Sequence, residues 1–427
     1  MKITQLKIKD NELLGIDKLT ILVGPNNSGK SQTLRDIRSR LVEGRNANTI
    51  LVESINLEWP AFFKDESLAW LERFDSLLPR NVKRQRMTGT VPNDMLVGVP
   101  SEPGMAMNNQ INLDYIGQVF PAQGEEILIE SIGKWRVALL DGESRLRVAV
   151  TSASPDLHSS EPSQNLMQAL LMDESGVEDK LRHAFRQTFG TDILLDDSGR
   201  AQTSFRIAPD FSRVSELDRH NPAIMGVFPK LDAAGDGYKS FVGVVLSLYM
   251  YEDRIVLLDE PEAFLHPAQA RILGRWLADH ARQIEGQIIV STHNAYFLEG
   301  VLSGNRNVDI YRLSRAADRT SYNHITPAAT SDLAREPALS SQRVLEAIFH
   351  KGVVVSESDS DRSVYQTVAS SVFGNQNLLF IQSFGKQAIA KIVRLLKACT
   401  IPVCAIADID ILNPKDNRAP PSYTLSR

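Results

Sequence analysis

Three stretches of this 427-residue chain hold residues whose types and spacing can do chemistry. The first, Gly24-Pro25-Asn26-Asn27-Ser28-Gly29-Lys30-Ser31, reads glycine, four residues, then Gly-Lys-Ser, the pattern of a loop that wraps phosphate. Its glycines let backbone N–H groups close around phosphate oxygens, and a helix N-terminus behind them adds a favourable dipole. Lys30 would reach the β- and γ-phosphates of a nucleoside triphosphate, and the Ser31 hydroxyl would ligate Mg²⁺. The second stretch, Ile255-Val256-Leu257-Leu258-Asp259-Glu260, is an apolar run ending in two carboxylates. A buried strand there delivers Asp259 to the metal shell and Glu260 to an attacking water. The chain continues Pro261-Glu262-Ala263-Phe264-Leu265-His266-Pro267, and Ile288-Ile289-Val290-Ser291-Thr292-His293 repeats the plan of apolar strand and polar end. His293 in that place is expected to sense the γ-phosphate.

The third stretch is near the C-terminus. Val353-Val354-Val355 leads into Ser356-Glu357-Ser358-Asp359-Ser360-Asp361, and Val403-Cys404-Ala405-Ile406-Ala407 leads into Asp408-Ile409-Asp410. Parallel strands end on one edge of a sheet, so Glu357, Asp361, Asp408 and Asp410 are expected to converge. Clustered carboxylates repel unless a cation lies among them, and hard oxygen ligands suit Mg²⁺ or Mn²⁺. Such a site can activate water against a phosphodiester and stabilise the leaving oxygen.

The elements that must position these residues are legible in part. Residues 2–9 alternate as a half-exposed strand does, Leu19 to Val23 is a buried strand, and a helix carrying Leu34 and Ile37 follows the phosphate loop. Thr49 to Leu57 reads as a strand and Pro60 to Leu77 as a helix. Residues 87–112 lack any period and read as a long loop. Three β-like runs are expected within 126–151, turning at Gly133-Lys134 and Asp141-Gly142. Residues 160–189 have a helical period, and 191–207 form a hairpin turning at Asp197-Ser198-Gly199. Beyond Gly235, Ser240 to Tyr251 is a buried helix, followed by strands at 254–258, 287–291 and 308–313 around a helix over 267–284. Strands alternating with helices indicate a parallel, helix-covered sheet. A polar stretch over 315–340 reads as a linker, and strands at 352–356, 378–382 and 402–407 with helices between them form a second small α/β domain.

Composition bounds the alternatives. Apolar content of 43% and charged content of 23% supply large cores. A net charge of −5 argues against a generally basic nucleic-acid coat, though not against a local basic groove. Two such places stand out, although such runs are more often solvated faces: Arg80, Lys83, Arg84 and Arg86, and the Lys391, Arg394, Lys397 face of the helix after Gly385. The two cysteines, Cys399 and Cys404, allow neither a disulfide framework nor a Cys-rich zinc site. No stretch reads as membrane-spanning or as a signal peptide, and a cytoplasmic protein is expected.

Taken together, the phosphate loop, the Asp259-Glu260 strand with its Pro-Glu-x-x-Leu-His-Pro continuation and the His293 strand resemble the ABC-type ATPases of the SMC/RecF-like branch. The short Asp-Glu-Pro-Glu form is similar to that of the overcoming-lysogenization-defect (OLD) nucleases. The resemblance implies ATP as ligand, sandwiched between two heads, with a signature segment of one head on the γ-phosphate held by the other, hence a homodimer or higher oligomer. Leu-Ser-Gly-Gly-Gln, the usual signature, is absent; Gly235-Asp236-Gly237-Tyr238-Lys239-Ser240 takes its place, and Gly235, Gly237, Lys239 and Ser240 are its candidate contacts. The nucleotide contacts implied on the other side are Gly24, Asn26, Asn27, Ser28, Gly29, Lys30 and Ser31, with Ser31 and Asp259 on the metal. Gln110, Gln118 and Gln123 are candidates for the family's Mg²⁺-sensing glutamine. In place of a long coiled coil, which would need a sustained heptad, a compact helical arm is expected within 160–190.

The third stretch resembles a Toprim domain, marked by Glu-Gly-x-x-Asp after its first strand and Asp-x-Asp after its third. Gly385-Lys386 also resembles the Gly-Lys seen there in OLD nucleases. Ser358 replaces the family's glycine, which is expected to tighten or distort the turn after Glu357. A Toprim fold normally continues through further strands to a later catalytic lysine, and Lys415 is the only lysine after Asp410, so an incomplete domain is expected. The fold expected is thus α/β: an ABC-type ATPase over residues 1–330, with a helical and β insertion over about 60–230, then a small Toprim domain over 345–427. The resemblance implies DNA metabolism in bacterial anti-phage defence, DNA as partner, and in some relatives a second protein or a retron's reverse transcriptase and RNA. An ATP-gated clamp or sensor with a non-catalytic Toprim part is the alternative.

Overall fold

The computed structural model describes residues 1–9, 12–59, 95–97, 110–112, 119, 122, 124–133, 136–154, 163, 165–252, 254–305, 308–317, 319–326, 328–330, 345–374, 377–383 and 385–409. The chain divides into two units. Met1–Leu22, Gly29–Thr292 and Tyr296–Asp309 form the first; Val23–Ser28, His293–Ala295 and the chain from Ile310 form the second. The basic residues Arg80, Lys83, Arg84 and Arg86, the 60–77 helix, Gln118, Gln123, Asp410 and Lys415 lie outside the described residues.

The first unit opens with strands β1 (Lys2–Ile8), β2 (Leu13–Gly15) and β3 (Leu19–Val23), helix α1 (Lys30–Glu43) and strand β4 (Val52–Glu58). β1 lies antiparallel between β2 and β4, burying its alternate apolar side chains as a half-exposed strand should. The buried Asp36 of α1 accepts hydrogen bonds from the Ile50, Leu51 and Val52 N–H groups, which ties the start of β4 to the helix. Strands β5 (Met95–Val97) and β6 (Gln110–Asn112) form an antiparallel pair where a loop alone is expected; three-residue strands are too short to show a period.

Only one of the three strands expected over 126–151 forms in the core, β7 (Val137–Leu140). Residues 125–133 are helical, and Asp141-Gly142 starts helix α2 (Gly142–Val148) instead of a hairpin. The reason is a cap: the Asp141 carboxylate accepts from the Ser144 N–H at 2.9 Å, satisfying an end group of the helix. After β8 (Ser152–Ala153) come α3 (Leu166–Leu171) and α4 (Val177–Phe189), then the hairpin of β9 (Asp192–Asp196) and β10 (Gln202–Ala208) at the turn expected. The described helices of this region pack against the core of the unit. α4 buries Leu181, Ala184 and Phe185, and Phe185 and Phe189 meet Tyr238 and Phe241 edge-on.

Those two aromatics belong to α5 (Asp236–Met250), which precedes β11 (Ile255–Asp259), α6 (Pro267–Ala281), β12 (Gln287–Ser291) and α7 (Ala295–Gly304). In this unit β3, β12, β11 and β7 pair in that order, all parallel. Their nearly continuous apolar runs are buried, as strands covered on both faces must be. The registers Leu22↔Ser291 and Asp259↔Ser291 align the carboxyl ends, the edge at which parallel sheets hold ligands.

In the second unit, β13 (Asp309–Ala316) and β14 (Arg319–Ile325) form an antiparallel hairpin. The strand expected at 308–313 forms as β13, and β14 corrects one expectation, a linker over 315–340: it alternates with polar residues and so is nearly invisible to hydrophobicity. Strand β15 (Gly352–Ser356), helix α8 (Asp359–Phe373), β16 (Leu378–Gln382), helix α9 (Lys386–Ala398) and β17 (Val403–Ile406) follow, with β15 central and parallel to both neighbours. Arg312 of β13 is buried, and its guanidinium donates to the carbonyls of Ile348, His350 and Thr400. It thereby pins the segments entering β15 and β17. Beside it, burial pushes the Cys399 thiol up to about 12. Among the described residues no helix is long and apolar enough to cross a membrane.

Candidate functional site

The phosphate loop has the backbone its sequence demands. Gly24 and Gly29 have φ of 143° and 104°, and Asn27, one of the few residue types that tolerate it, has φ of 62°. A Cβ on Gly24 would lie 2.3 Å from the Leu313 carbonyl oxygen, so only glycine fits. Asn26 and Asn27 are exposed, whereas the Ser28 hydroxyl is buried with no hydrogen-bond partner among the described residues. A buried polar atom without a partner is costly, and a phosphate oxygen would satisfy it.

Lys30 and Ser31 open α1, facing the ends of β11 and β12. The Ser31 hydroxyl donates to Asp259 Oδ1 at 2.8 Å, and the Ser291 hydroxyl donates to the same oxygen. Burial lowers the Lys30 amine below its ordinary value, opposed by Glu260, Asp259 and Glu262. Thr292 holds the buried Glu262 at 2.5 Å. Oxygen donors from Ser31 and Asp259 at hydrogen-bond distance fit a hard cation such as Mg²⁺.

Arg145 was not a candidate from the sequence, yet it is the fully buried centre of this edge. Its Nη1 donates to the Leu140 and Asp259 carbonyls at 3.0 and 2.6 Å, its Nη2 to the Glu260 carbonyl at 2.9 Å, and its Nε to Ser240 Oγ at 3.2 Å. Burial depresses its basicity, and Glu262, Asp259, Asp141 and Glu260 oppose that. Glu260 sits at φ 50°, a strained conformation for a side-chain-bearing residue. The Ser291 carbonyl accepts its N–H at 2.9 Å while Arg145 grips its carbonyl, so the strain is held from both sides. Nothing local marks Arg145, because every partner but Leu140 is 95 or more residues away; in its own segment it looks like one of several solvated arginines.

The signature-like segment caps α5 with Gly235. Gly237 approaches the backbone of the turn after β11, where a Cβ would meet the Phe264 carbonyl at 2.7 Å. Lys239 pairs with Asp236 at 3.1 Å. Ser240 is turned inward, fully buried on Arg145, and so does not present its hydroxyl to a second head as expected. Of the glutamine candidates, Gln110 lies in β6, outside the parallel sheet. His293 directly follows Thr292 and is exposed.

The second acidic site is built in the second unit on parallel register. Ser356 pairs with Ile406, so Glu357 and Asp408 follow adjacent strand ends at one edge. Ser358 is the N-cap of α8: its hydroxyl accepts from the Asp361 N–H at 3.2 Å and donates to Asp361 Oδ2 at 2.7 Å. Its φ of −119° and ψ of 167° are ordinary extended backbone, so the serine in place of the family's glycine does not distort the turn. Glu357 Oε2 is buried without a hydrogen-bond partner among the described residues, which fits a cation ligand. Asp410, the fourth expected ligand, lies outside the described residues, and among these no group of three or more potential metal-ligating side chains comes together. On α9, Lys391, Arg394 and Lys397 are exposed opposite buried Ile389, Ile392 and Leu396.

Comparison with known proteins follows the same division. Residues 193–299 match the family described as AAA domain, putative AbiEii toxin, type IV TA system. Residues 348–410 match the Toprim domain of overcoming-lysogenization-defect-like proteins. No curated protein matches the chain. Similar solved structures include an Smc head bound to the C-terminal winged-helix domain of ScpA, 12% identical, covering 76% of this chain and 98% of that one at a TM-score of 0.42. The SMC head domain from Thermotoga maritima is 15% identical over 76% of this chain and 100% of its own, at 0.37. A Pyrococcus furiosus Smc head with an extended coiled coil, bound to the C-terminal domain of ScpA, is 11% identical over 78% and 98%, at 0.38. The chain thus carries an AAA-type match across the β11 and β12 strand ends and a Toprim match of the overcoming-lysogenization-defect-like type across β15 to β17.

Proposed function

We propose that the protein hydrolyses ATP and couples this to metal-dependent cleavage of DNA by its Toprim domain, in the cytoplasm, as part of bacterial defence against phage. The observation that carries the reading is that one chain holds both halves. One is a phosphate loop bonded through Ser31 to Asp259; the other is a pair of adjacent parallel strands ending in Glu357, with its unpartnered buried oxygen, and Asp408.

In the ATPase, the loop N–H groups and Lys30 bind the phosphates, and Glu260 orients the attacking water and accepts its proton. Mg²⁺, held by Ser31 and Asp259, would neutralise charge between the β- and γ-phosphates. His293 reads the γ-phosphate. Gly235, Gly237 and Lys239 face the nucleotide of a second copy, making a dimer the working form. In the Toprim domain, Glu357, Asp361, Asp408 and Asp410 would hold Mg²⁺ or Mn²⁺, which would supply an activated water and stabilisation of the leaving oxygen. The alternative reading is an ATP-gated clamp or sensor that controls a partner protein or ribonucleoprotein.

The test is cleavage of plasmid DNA by the purified chain in Mg²⁺ or Mn²⁺, with and without ATP, beside Asp408→Ala and Glu260→Gln. Cleavage lost in Asp408→Ala, with ATP hydrolysis intact, supports the nuclease. Glu260→Gln should abolish turnover and accumulate an ATP-bound dimer. ATP hydrolysis without any cleavage would replace the nuclease by the clamp.

A further inference from the structure

A cavity of about 410 Å³ opens between α1 and α2, away from the Ser31–Asp259 contact. Arg35 and Arg38 of α1 and Arg147 of α2 line it, together with the hydroxyl-bearing Ser39 and Ser144. Arg35 is exposed and makes no hydrogen bond or salt bridge to any described residue. Arg147 pairs only with Glu143 one turn away on its own helix, both exposed, a contact of little strength in water. Of the two acids in the wall, Glu143 is the partner of Arg147, and Asp141 caps α2 through Ser144 with Arg35 among the charges near it. Three guanidinium forks around a pocket of nucleotide size suit a phosphate group, whose oxygens take paired N–H donors.

We infer that this cavity binds a phosphate-bearing effector, through Arg35, Arg38 and Arg147, at a place separate from the ATP phosphates. The position gives such a ligand leverage. α1 begins at Lys30 and Ser31, and α2 carries Arg145, which holds the Asp259 and Glu260 carbonyls. A phosphate bridging the two helices therefore acts on the distance between the phosphate loop and the general base. The inference does not depend on DNA cleavage, since it concerns binding alone.

The experiment is fluorescence anisotropy of a labelled 15-nucleotide oligothymidylate with the full chain in EDTA, across a salt series. Arg35→Glu/Arg38→Glu should weaken binding at least tenfold and flatten the salt dependence by about one to two phosphate contacts, each about 0.7 in the log–log slope for a single strand. Its thermal melt and ATP turnover without probe should match the wild type. Lys30→Ala, which disables the phosphate loop, should bind the probe normally. Unlabelled pyrophosphate separates the sources: displacement at micromolar concentration assigns a small phosphorylated ligand, and resistance to millimolar pyrophosphate assigns a nucleic-acid strand. No binding by the wild type of either probe, or equal affinity and slope in the double variant, would overturn the site.

Discussion

Arg145→Met is the perturbation that most directly tests how this ATPase edge is built. The substitution keeps length and apolar stem but removes a guanidinium that serves three carbonyls, one buried and two partly buried, and the Ser240 hydroxyl. Each buried polar group left without a partner costs about 1–3 kcal/mol. The variant regains part of this, because holding a charge in the interior is itself costly. A net loss of about 3–4 kcal/mol is expected, which for a domain of this size lowers the melting temperature by about 10 °C. The effect on turnover should be larger than stability explains. Glu260 at φ 50° loses the Arg145 bond to its carbonyl, one of the contacts, with Ser291 and Ala263, that hold it in a left-handed conformation worth about 1–2 kcal/mol of strain. Relaxation by even 1 Å would cost about 100-fold in rate. Steady-state ATP hydrolysis and thermal melts of wild type, Arg145→Met and Arg145→Lys separate the two effects. Lysine restores a charge but not the fork, so it should recover stability in part and turnover hardly at all. Wild-type turnover in Arg145→Met would refute the claim that this residue positions the general base.

Two other outcomes follow from the same reasoning. His280 is buried, stacked on Trp276 at 4.9 Å, and burial, helped by Lys180, lowers its pKa to about 4 against the backbone bond to Leu248. Since the unfolded chain titrates near 6.5, the stability its neutral form contributes is full above 6.5 and is lost as pH falls from there to about 4, by about 3 kcal/mol. Urea denaturation at pH 7.5 and 5 should show about 2 kcal/mol of this loss in the wild type and a much smaller one in His280→Phe; equal losses would contradict it. At the Toprim edge, Ser358→Gly should cost only a few tenths of a kcal/mol and Ser358→Ala about 1 kcal/mol. A loss above 2 kcal/mol in the glycine variant would show that Ser358 does more than cap α8.

What the sequence determined by itself is the chemistry that depends on neighbours in the chain. The phosphate loop needs glycine where φ is positive and a lysine and serine at the first helical turn, and all of these are local demands. Buried parallel strands announce themselves as apolar runs, so β3, β11, β12 and β15 were readable; β17 is an apolar run too, although its side chains are only partly covered. Ser358 marks the limit of local reasoning: its identity suggested strain, and only the backbone angles and the Asp361 bond revealed a helix cap. Tertiary structure alone decided the rest. The Asp141 cap turned an expected hairpin into α2, and α2 in turn carried Arg145 into the core. Ser240 faces inward because that guanidinium needs an acceptor. The partners of Arg145 and Arg312 are mostly carbonyls, which every residue possesses, so no choice of side chain along the sequence could reveal them. A buried cation satisfied by backbone is specified by where distant segments pass, and that is settled only when the sheet and its covering helices close.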